Sequence, residues 1–284
     1  MQKFKEGFMK WVFILFACVS ILAIVLICFF LFANGIPAIG EIGVFNFLLG
    51  KQWKPSNDLY GILPMILGSV YVTGGAILFG VPIGVLMAVF LARFCPPKLH
   101  RILKPMVELM AGIPSVVYGF FGMIVLVPMV RELFSGNGSS LFTASLLLGI
   151  MILPTIITVS ESAIRAVPEY YYEGALALGA THERGVFFVM VPAAKSGIVA
   201  SIVLGIGRAI GETMAVIMVA GNQARIPNGL FKGVRTLTAN IVIEMGYAAD
   251  LHREALIATG VVLFVFILLI NLLVSVLKKG SKTA

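Results

Sequence analysis

Apolar residues run in long unbroken stretches along this chain, and charged residues are confined to the short segments between them. Trp11 to Ala33 carries no charge, and comparable runs cover roughly residues 62 to 92, 107 to 130, 141 to 164, 197 to 222 and 255 to 277. Roughly 20 consecutive apolar residues are needed to cross a hydrocarbon core about 30 Å thick. Each run therefore predicts one transmembrane helix, six in all. A closed barrel would show many strands of about ten alternating residues, whereas these runs are continuous and rich in Leu, Ile, Val, Phe and Met. Trp11 to Ala33 follows Lys3, Lys5 and Lys10, as a signal peptide would, but it exceeds a signal core of about 7 to 15 residues and reads as the first span. The expected fold class is an all-α integral membrane protein.

Composition agrees with that pattern. Of 284 residues, 60% are hydrophobic and 12% charged, and the mean hydropathy is +1.04, far from the mix of a soluble domain. Basic residues crowd the segments that share a side with the N-terminus: Arg93, Lys98, Arg101 and Lys104, then Arg165, Arg184 and Lys195, then Lys278, Lys279 and Lys282. The opposite side holds fewer, which places both termini in the cytoplasm. Loops anchored to an anionic leaflet account for the net charge of +8 without a nucleic acid partner. Cys18, Cys28 and Cys95 suggest no disulfide framework, and His100, His182 and His252 lack metal-ligand spacing. The chain has no phosphate-binding loop of the GxxxxGK[ST] type, so it binds no nucleotide and no cofactor itself.

The loops carry more specific signals. Segments of about 34 to 61 and 223 to 254 are long enough to form surface elements, and SGNGSS from Ser135 is a turn signal. In the second span Gly80 and Gly84 form a small-xxx-small face, and Pro82 predicts a kink. Residues 168 to 197 read PEYYYEGALALGATHERGVFFVMVPAAKSG. Pro168 suits the first helical position, Glu169 favours the positive end of the helix dipole, and Gly179 ends the helix as a left-handed cap. A short helix over 168 to 178 follows, then a second one capped by Thr181 with Glu183 in its first turn. The hairpin offers Tyr170, Tyr171, Tyr172 and Leu176 either to a partner's groove or to the membrane surface.

Glu173, Gly174, Ala175 and Gly179, followed by the VMVP of Val189 to Pro192, resemble the EAA loop of ABC importer permeases. Gly174 stands where the family usually has Ala and Val191 where it usually has Leu. AGIPSVVYGFFG, residues 111 to 122, and GRAIGETMAVIMVAGN, residues 207 to 222, resemble the phosphate-importer permeases of the PstC type. The resemblance implies a type I ABC importer architecture. Residues 1 to 60 would hold the first span and an outer loop, and residues 61 to 280 the permease core, with the coupling loop at about 165 to 195. It implies a sister permease (PstA-like), two ATPase subunits (PstB-like) that use ATP, and an extracytoplasmic phosphate-binding protein (PstS-like). The setting it implies is the bilayer of the bacterial plasma (inner) membrane. In this reading the coupling helix docks into the ATPase.

Arg208 and Glu212 fall four residues apart within the fifth apolar run. A charge near the bilayer centre costs roughly 2.5 to 3.5 kcal/mol, so neither faces lipid. On a continuous helix they share one face, with Gly207 and Gly211 beside them to admit another helix. An Arg guanidinium forks onto phosphate oxygens and a carboxylate accepts from a protonated one, which fits an oxyanion gate. The alternative is a buried ion pair that sets helix registry. Ser115 and Tyr118 add neutral hydrogen-bonding groups, Tyr118 also being a packing aromatic. Glu161 and Glu108 read as boundary charges. A secondary transporter would place charges in a span too, but would show an inverted repeat in place of a coupling loop. Molybdate and sulfate are rival substrates within the importer class.

Overall fold

The computed structural model describes the backbone of residues 2–134 and 136–280, and the side chains of residues 7–134 and 136–272. The charges of Lys3, Lys5, Lys278, Lys279 and Lys282 lie outside those side chains. The elements run α1 (Gln2–Ile42), α2 (Val44–Leu49), β1 (Trp53–Lys54), β2 (Leu59–Tyr60), α3 (Leu63–Val89), α4 (Pro97–Gly112), α5 (Ser115–Phe121), α6 (Val127–Phe134) and α7 (Leu141–Arg165). The second half holds α8 (Glu169–Ala177), α9 (His182–Gly185), α10 (Val191–Ala193), α11 (Lys195–Gly211), α12 (Met214–Val219), α13 (Leu237–Glu244) and α14 (Asp250–Gly280). Among the described residues five helices are long and apolar enough to cross a membrane. The pair His182–Ala193 and Lys195–Gly211, bent by 68°, makes a sixth if taken as one span. The predicted all-α class holds, apart from the two-residue strands β1 and β2.

The centre of the molecule is α3 laid along α7, with α11 against both. Gly80 and Gly84 make the close approach possible. A Cβ on either would lie 2.8 Å from the side chain of Ile152 or Ile156, inside van der Waals contact. Pro82 sits inside α3 without ending it, and a π-helical turn over Phe90–Phe94 follows the α-helical part. Val72, Ala76, Leu147, Leu148, Met151 and Ile152 are fully buried along this seam. The first helix extends to Ile42, beyond the predicted end at Ala33, and touches the body only near its second half, where Phe32 meets Phe264 edge to face. From Phe8 to Phe30 its exposed side chains are largely apolar all round, the mark of a helix solvated by lipid or by another chain.

Two predicted spans are broken. The third was expected over 107 to 130, but α4 stops at Gly112 and the membrane-length segment begins at Ser115. Ile113 takes an extended conformation because Pro114 clashes with a helical backbone at the residue before it. The fifth was expected to run unbroken from 197 to 222, but α11 ends at Gly211 and Glu212 is extended, with φ −69° and ψ 131°.

At the end of the bundle away from α8, the two long loops form one packed cap. Phe47, Trp53 and Tyr60 from the first loop share a core with Ile62 and Met65 at the start of α3 and with Leu237, Ala255 and Leu256 from the second half. Their central polar group is Glu244, whose Oε1 is 2.5 Å from Arg235 and whose Oε2 is 2.9 Å from His252 Nε2. The long loops are thus interlocked by tertiary packing, a role their composition does not reveal.

Candidate coupling loop and polar helix break

The segment expected to be the coupling loop folds as its local signals require. α8 begins with Glu169 in its first turn, and Gly179 adopts φ +86°, a left-handed conformation that favours glycine. Pro168 is the N-cap, one position earlier than expected. Thr181 Oγ1 accepts from the Arg184 backbone N–H at 3.4 Å and caps α9. Glu173, Gly174, Leu176 and Tyr170 are exposed and Ala175 is half-buried. Tyr170 stacks on Tyr171 with ring centroids 4.8 Å apart. Tyr172 departs from the expected surface position. It turns inward and its hydroxyl shares a 2.6 Å hydrogen bond with His182 Nδ1, closing the hairpin. Leu178, not singled out in the sequence, is 91% exposed beside Leu176 and extends the apolar tip.

The break after α11 sets the positions of Arg208 and Glu212. Glu212 Oε1 accepts from the backbone N–H groups of Thr213 (3.1 Å) and Ala215 (3.2 Å). A side chain that captures local N–H groups competes with helical hydrogen bonding, so the helix ends and α12 starts anew. Thr238 Oγ1 donates to the Glu212 carbonyl at 3.0 Å, satisfying another group freed by the break, as membrane-embedded irregular backbone requires. Glu212 therefore no longer shares a helical face with Arg208, and among the described residues no ion pair joins the two. Arg208 NH1 instead reaches Thr155 Oγ1 on α7, at 3.4 Å. Nothing lies within 4 Å of a Cβ built on Gly207 or Gly211, so no helix of this chain occupies the face expected to receive one.

Tyr118 is buried and donates to the Met110 carbonyl at 2.9 Å. Its proton is spent on the α4–α5 break. Ser115 opens α5 and is half-buried. Among the described residues neither is hydrogen-bonded to Arg208 or Glu212.

Glu161 is a correction to the boundary-charge reading. It is 2% exposed, and its carboxylate takes His100 Nε2 and Arg165 Nε at 2.8 Å each, with Lys104 Nζ at 3.8 Å. Arg165 NH2 also donates to the Leu91 carbonyl. This cluster joins α4, α7 and the end of α3. Glu108 is exposed beside a cavity at Gly112 and Pro114. The basic spacing of His100 and Lys104, four residues apart on α4, is the one sequence signal that could have pointed to a shared acidic partner.

With this geometry in place, comparison with known proteins identifies relatives. Residues 80–282 match the model of the family described as "Binding-protein-dependent transport system inner membrane component". The chain is 39% identical over 270 residues to the probable ABC transporter permease protein YqgH of Bacillus subtilis, covering 91% of this chain and 87% of that one. It is 37% identical to the phosphate transport system permease protein PstC of Mesorhizobium japonicum, covering 84% and 80%, and 37% identical to that of Haemophilus influenzae, covering 80% and 79%. In fold it resembles a chain of the inward-facing methionine ABC transporter MetNI, with a TM-score of 0.64 at 21% identity over 81% of this chain and 99% of that one. It also resembles a chain of a bacterial alginate ABC transporter, with a TM-score of 0.62 at 16% identity over 91% and 92%.

Proposed function

The chain belongs to the family of binding-protein-dependent transport system inner membrane components, and from that premise we propose that it is a permease subunit of an ATP-driven importer of inorganic phosphate. It forms one half of the translocation path in the bacterial plasma membrane. A sister permease supplies the other half, two ATPase subunits supply the energy, and an extracytoplasmic binding protein delivers the anion. The chain itself carries out no hydrolysis.

The observation that carries the reading is the position of Arg208. It is a half-buried guanidinium within the helical bundle, with a hydroxyl and no carboxylate for a partner among the described residues. An uncompensated cation at that depth is costly unless it faces a polar path or a partner subunit. The open face at Gly207 and Gly211 beside it supports a path shared with a second permease. The identity with two phosphate transport permeases over most of both chains supports phosphate as the anion. Glu212 acts at the same place in another way. By capping α12 it holds the helix break open, and its negative charge disfavours a fully ionised anion while accepting from a protonated one.

In the cycle, ATP closes the ATPase pair, α8 moves with it, and α11 shifts about the break at Glu212. Only a difference in affinity of ATP and of loaded binding protein for the two states drives that shift. The test uses the full complex in proteoliposomes, following ATP-driven uptake of labelled phosphate, sulfate and molybdate. Phosphate uptake by the wild type that is abolished in an assembled, ATP-hydrolysing Arg208→Gln complex is the expected result. Uptake of sulfate or molybdate in preference to phosphate overturns the substrate, and an Arg208→Gln complex that transports like the wild type overturns the path.

A further inference from the structure

The coupling hairpin is joined in sequence to α7 and α11, yet its polar anchor lies on α3. Arg93 sits in the π-helical turn that ends the second span. Its NH1 donates to both carboxylate oxygens of Glu169, at 2.9 Å each, in the first turn of α8. The guanidinium also lies 5.6 Å from the ring centroid of Tyr172. Next to it Phe94 meets the His182 ring edge to face at 4.7 Å, and His182 is hydrogen-bonded to Tyr172. Both helices of the hairpin are therefore held by two consecutive residues of one turn.

Exposed ion pairs usually contribute little. This one differs on the Arg93 side: Glu169 is 56% exposed, but Arg93 is only 13% exposed, and the aromatic ring of Tyr172 restricts its guanidinium. Val89 and Val186 pack beneath the pair, with Met190 beside them, so the joint has an apolar floor as well as a polar clasp. The other end of α3 is fastened too. Ser69 Oγ accepts from the Leu237 backbone N–H at 3.0 Å, and Gly68 lies against the Arg235 carbonyl, too close to admit a Cβ. Ser69 and Arg93 are 24 positions apart, about 36 Å of helix at 1.5 Å per residue. One continuous helix, Leu63–Phe94, thus runs from the coupling hairpin to the loop cap at the opposite end.

We propose that Arg93 is a positioning residue for energy coupling: its tie to Glu169 makes α3 move as one body with the coupling helix, so that the ATPase acts on the loop cap through α3 as well as on α11. The proposal rests on the importer reading above.

The test compares wild type, Arg93→Gln, Arg93→Lys, Glu169→Gln and the swap of Arg93→Glu with Glu169→Arg, each as the full complex in proteoliposomes. Assembly, basal ATP hydrolysis, its stimulation by phosphate-loaded binding protein, and phosphate moved per ATP are measured. The expected result is that Arg93→Gln and Glu169→Gln assemble and hydrolyse ATP, while stimulation and phosphate per ATP fall at least about fivefold. The swap recovers most of that loss. A ratio within about twofold of wild type in both single variants overturns the proposal, and so does loss of coupling that neither the swap nor Arg93→Lys relieves. Where Arg93→Gln does not assemble, Glu169→Gln decides by the same ratio, and Arg93→Lys is expected to retain coupling.

A second readout separates this inference from the choice of substrate. With the three cysteines replaced by serine, spin labels at Glu183, exposed on the second helix of the hairpin, and Val70 report whether the hairpin and the far part of α3 keep their distance when ATP is added. A constant distance in wild type that changes in Arg93→Gln supports the tie even if the wild type moves no phosphate. A wild-type distance that changes with ATP overturns it.

Discussion

Trp53 and Glu244, 191 positions apart in sequence, share a hydrogen bond of 2.7 Å, the indole N–H donating to Oε2. The same buried carboxylate takes Arg235 and His252, so one residue fastens the β-hairpin, α13 and the start of α14. Removing one partner of a buried ion pair costs about 3 to 5 kcal/mol, because the remaining charge is left without compensation. Glu244→Ala is expected to lower the unfolding temperature of the detergent-solubilised protein and shift Trp53 fluorescence to the red. An unchanged melting profile would show that the apolar cluster alone holds the cap.

Glu161 makes a parallel case at the coupling-loop end. With His100, Lys104 and Arg165 on one carboxylate, Glu161→Ala leaves three basic groups facing one another and destabilises by about 3 kcal/mol or more. Surface charges such as Glu108 are expected to be silent in the same assay. Equal effects of Glu161→Ala and Glu108→Ala on thermal unfolding would contradict the buried cluster.

Two glycines of the coupling loop respond in opposite directions to alanine. Gly179 has open space around it but φ +86°, so Gly179→Ala strains the backbone by roughly 1 to 2 kcal/mol. Gly174 is exposed, in a regular helix, with nothing within 4 Å of an added Cβ, and Gly174→Ala stabilises α8 by about 1 kcal/mol. Circular dichroism of the full-length variants under thermal melting, with hydrogen exchange over residues 169–177, distinguishes the two.

The glycines of the spans also separate into two kinds. Gly80→Ala and Gly84→Ala force Ile152 and Ile156 away from α3 and cost about 1 to 3 kcal/mol by overpacking. Gly207→Ala and Gly211→Ala meet nothing in this chain. They should not lower its own melting temperature, since Ala is the better helix former, and on the proposed function they should weaken its association with a second permease. A fall in the isolated chain's stability on Gly211→Ala would refute the open-face assignment.

Because Glu212 is bonded to backbone N–H groups and Arg208 to Thr155, the two charges act separately on stability. In a double-mutant cycle of Arg208→Gln and Glu212→Gln, the unfolding free energies should add within about 0.5 kcal/mol. A larger interaction term would restore the ion-pair reading.

Membrane residence, helical class and the capped hairpin of α8 and α9 were legible in the sequence because each rests on local rules. Long apolar runs mark membrane helices, Gly179 marks a helix end by its own backbone freedom, and Thr181 caps the next helix within three residues. The family resemblance rested on motifs of the same local kind. The third and fifth runs misled because hydropathy does not register a carboxylate that captures two N–H groups, as Glu212 does. The break at Pro114 carried a backbone signal, but the apolar count overrode it.

By itself the sequence determined that the chain is a bundle of apolar helices and where the capped hairpin of α8 and α9 lies, since solvation by lipid and backbone capping depend on neighbours within a few positions. Tertiary structure alone decided that Glu161 and Glu244 are buried hubs and that Arg93 clasps Glu169. Trp53 and Glu244 stand 191 positions apart and Arg93 and Glu169 stand 76 apart, and packing of whole helices, with glycines at the points of closest approach, brings them together.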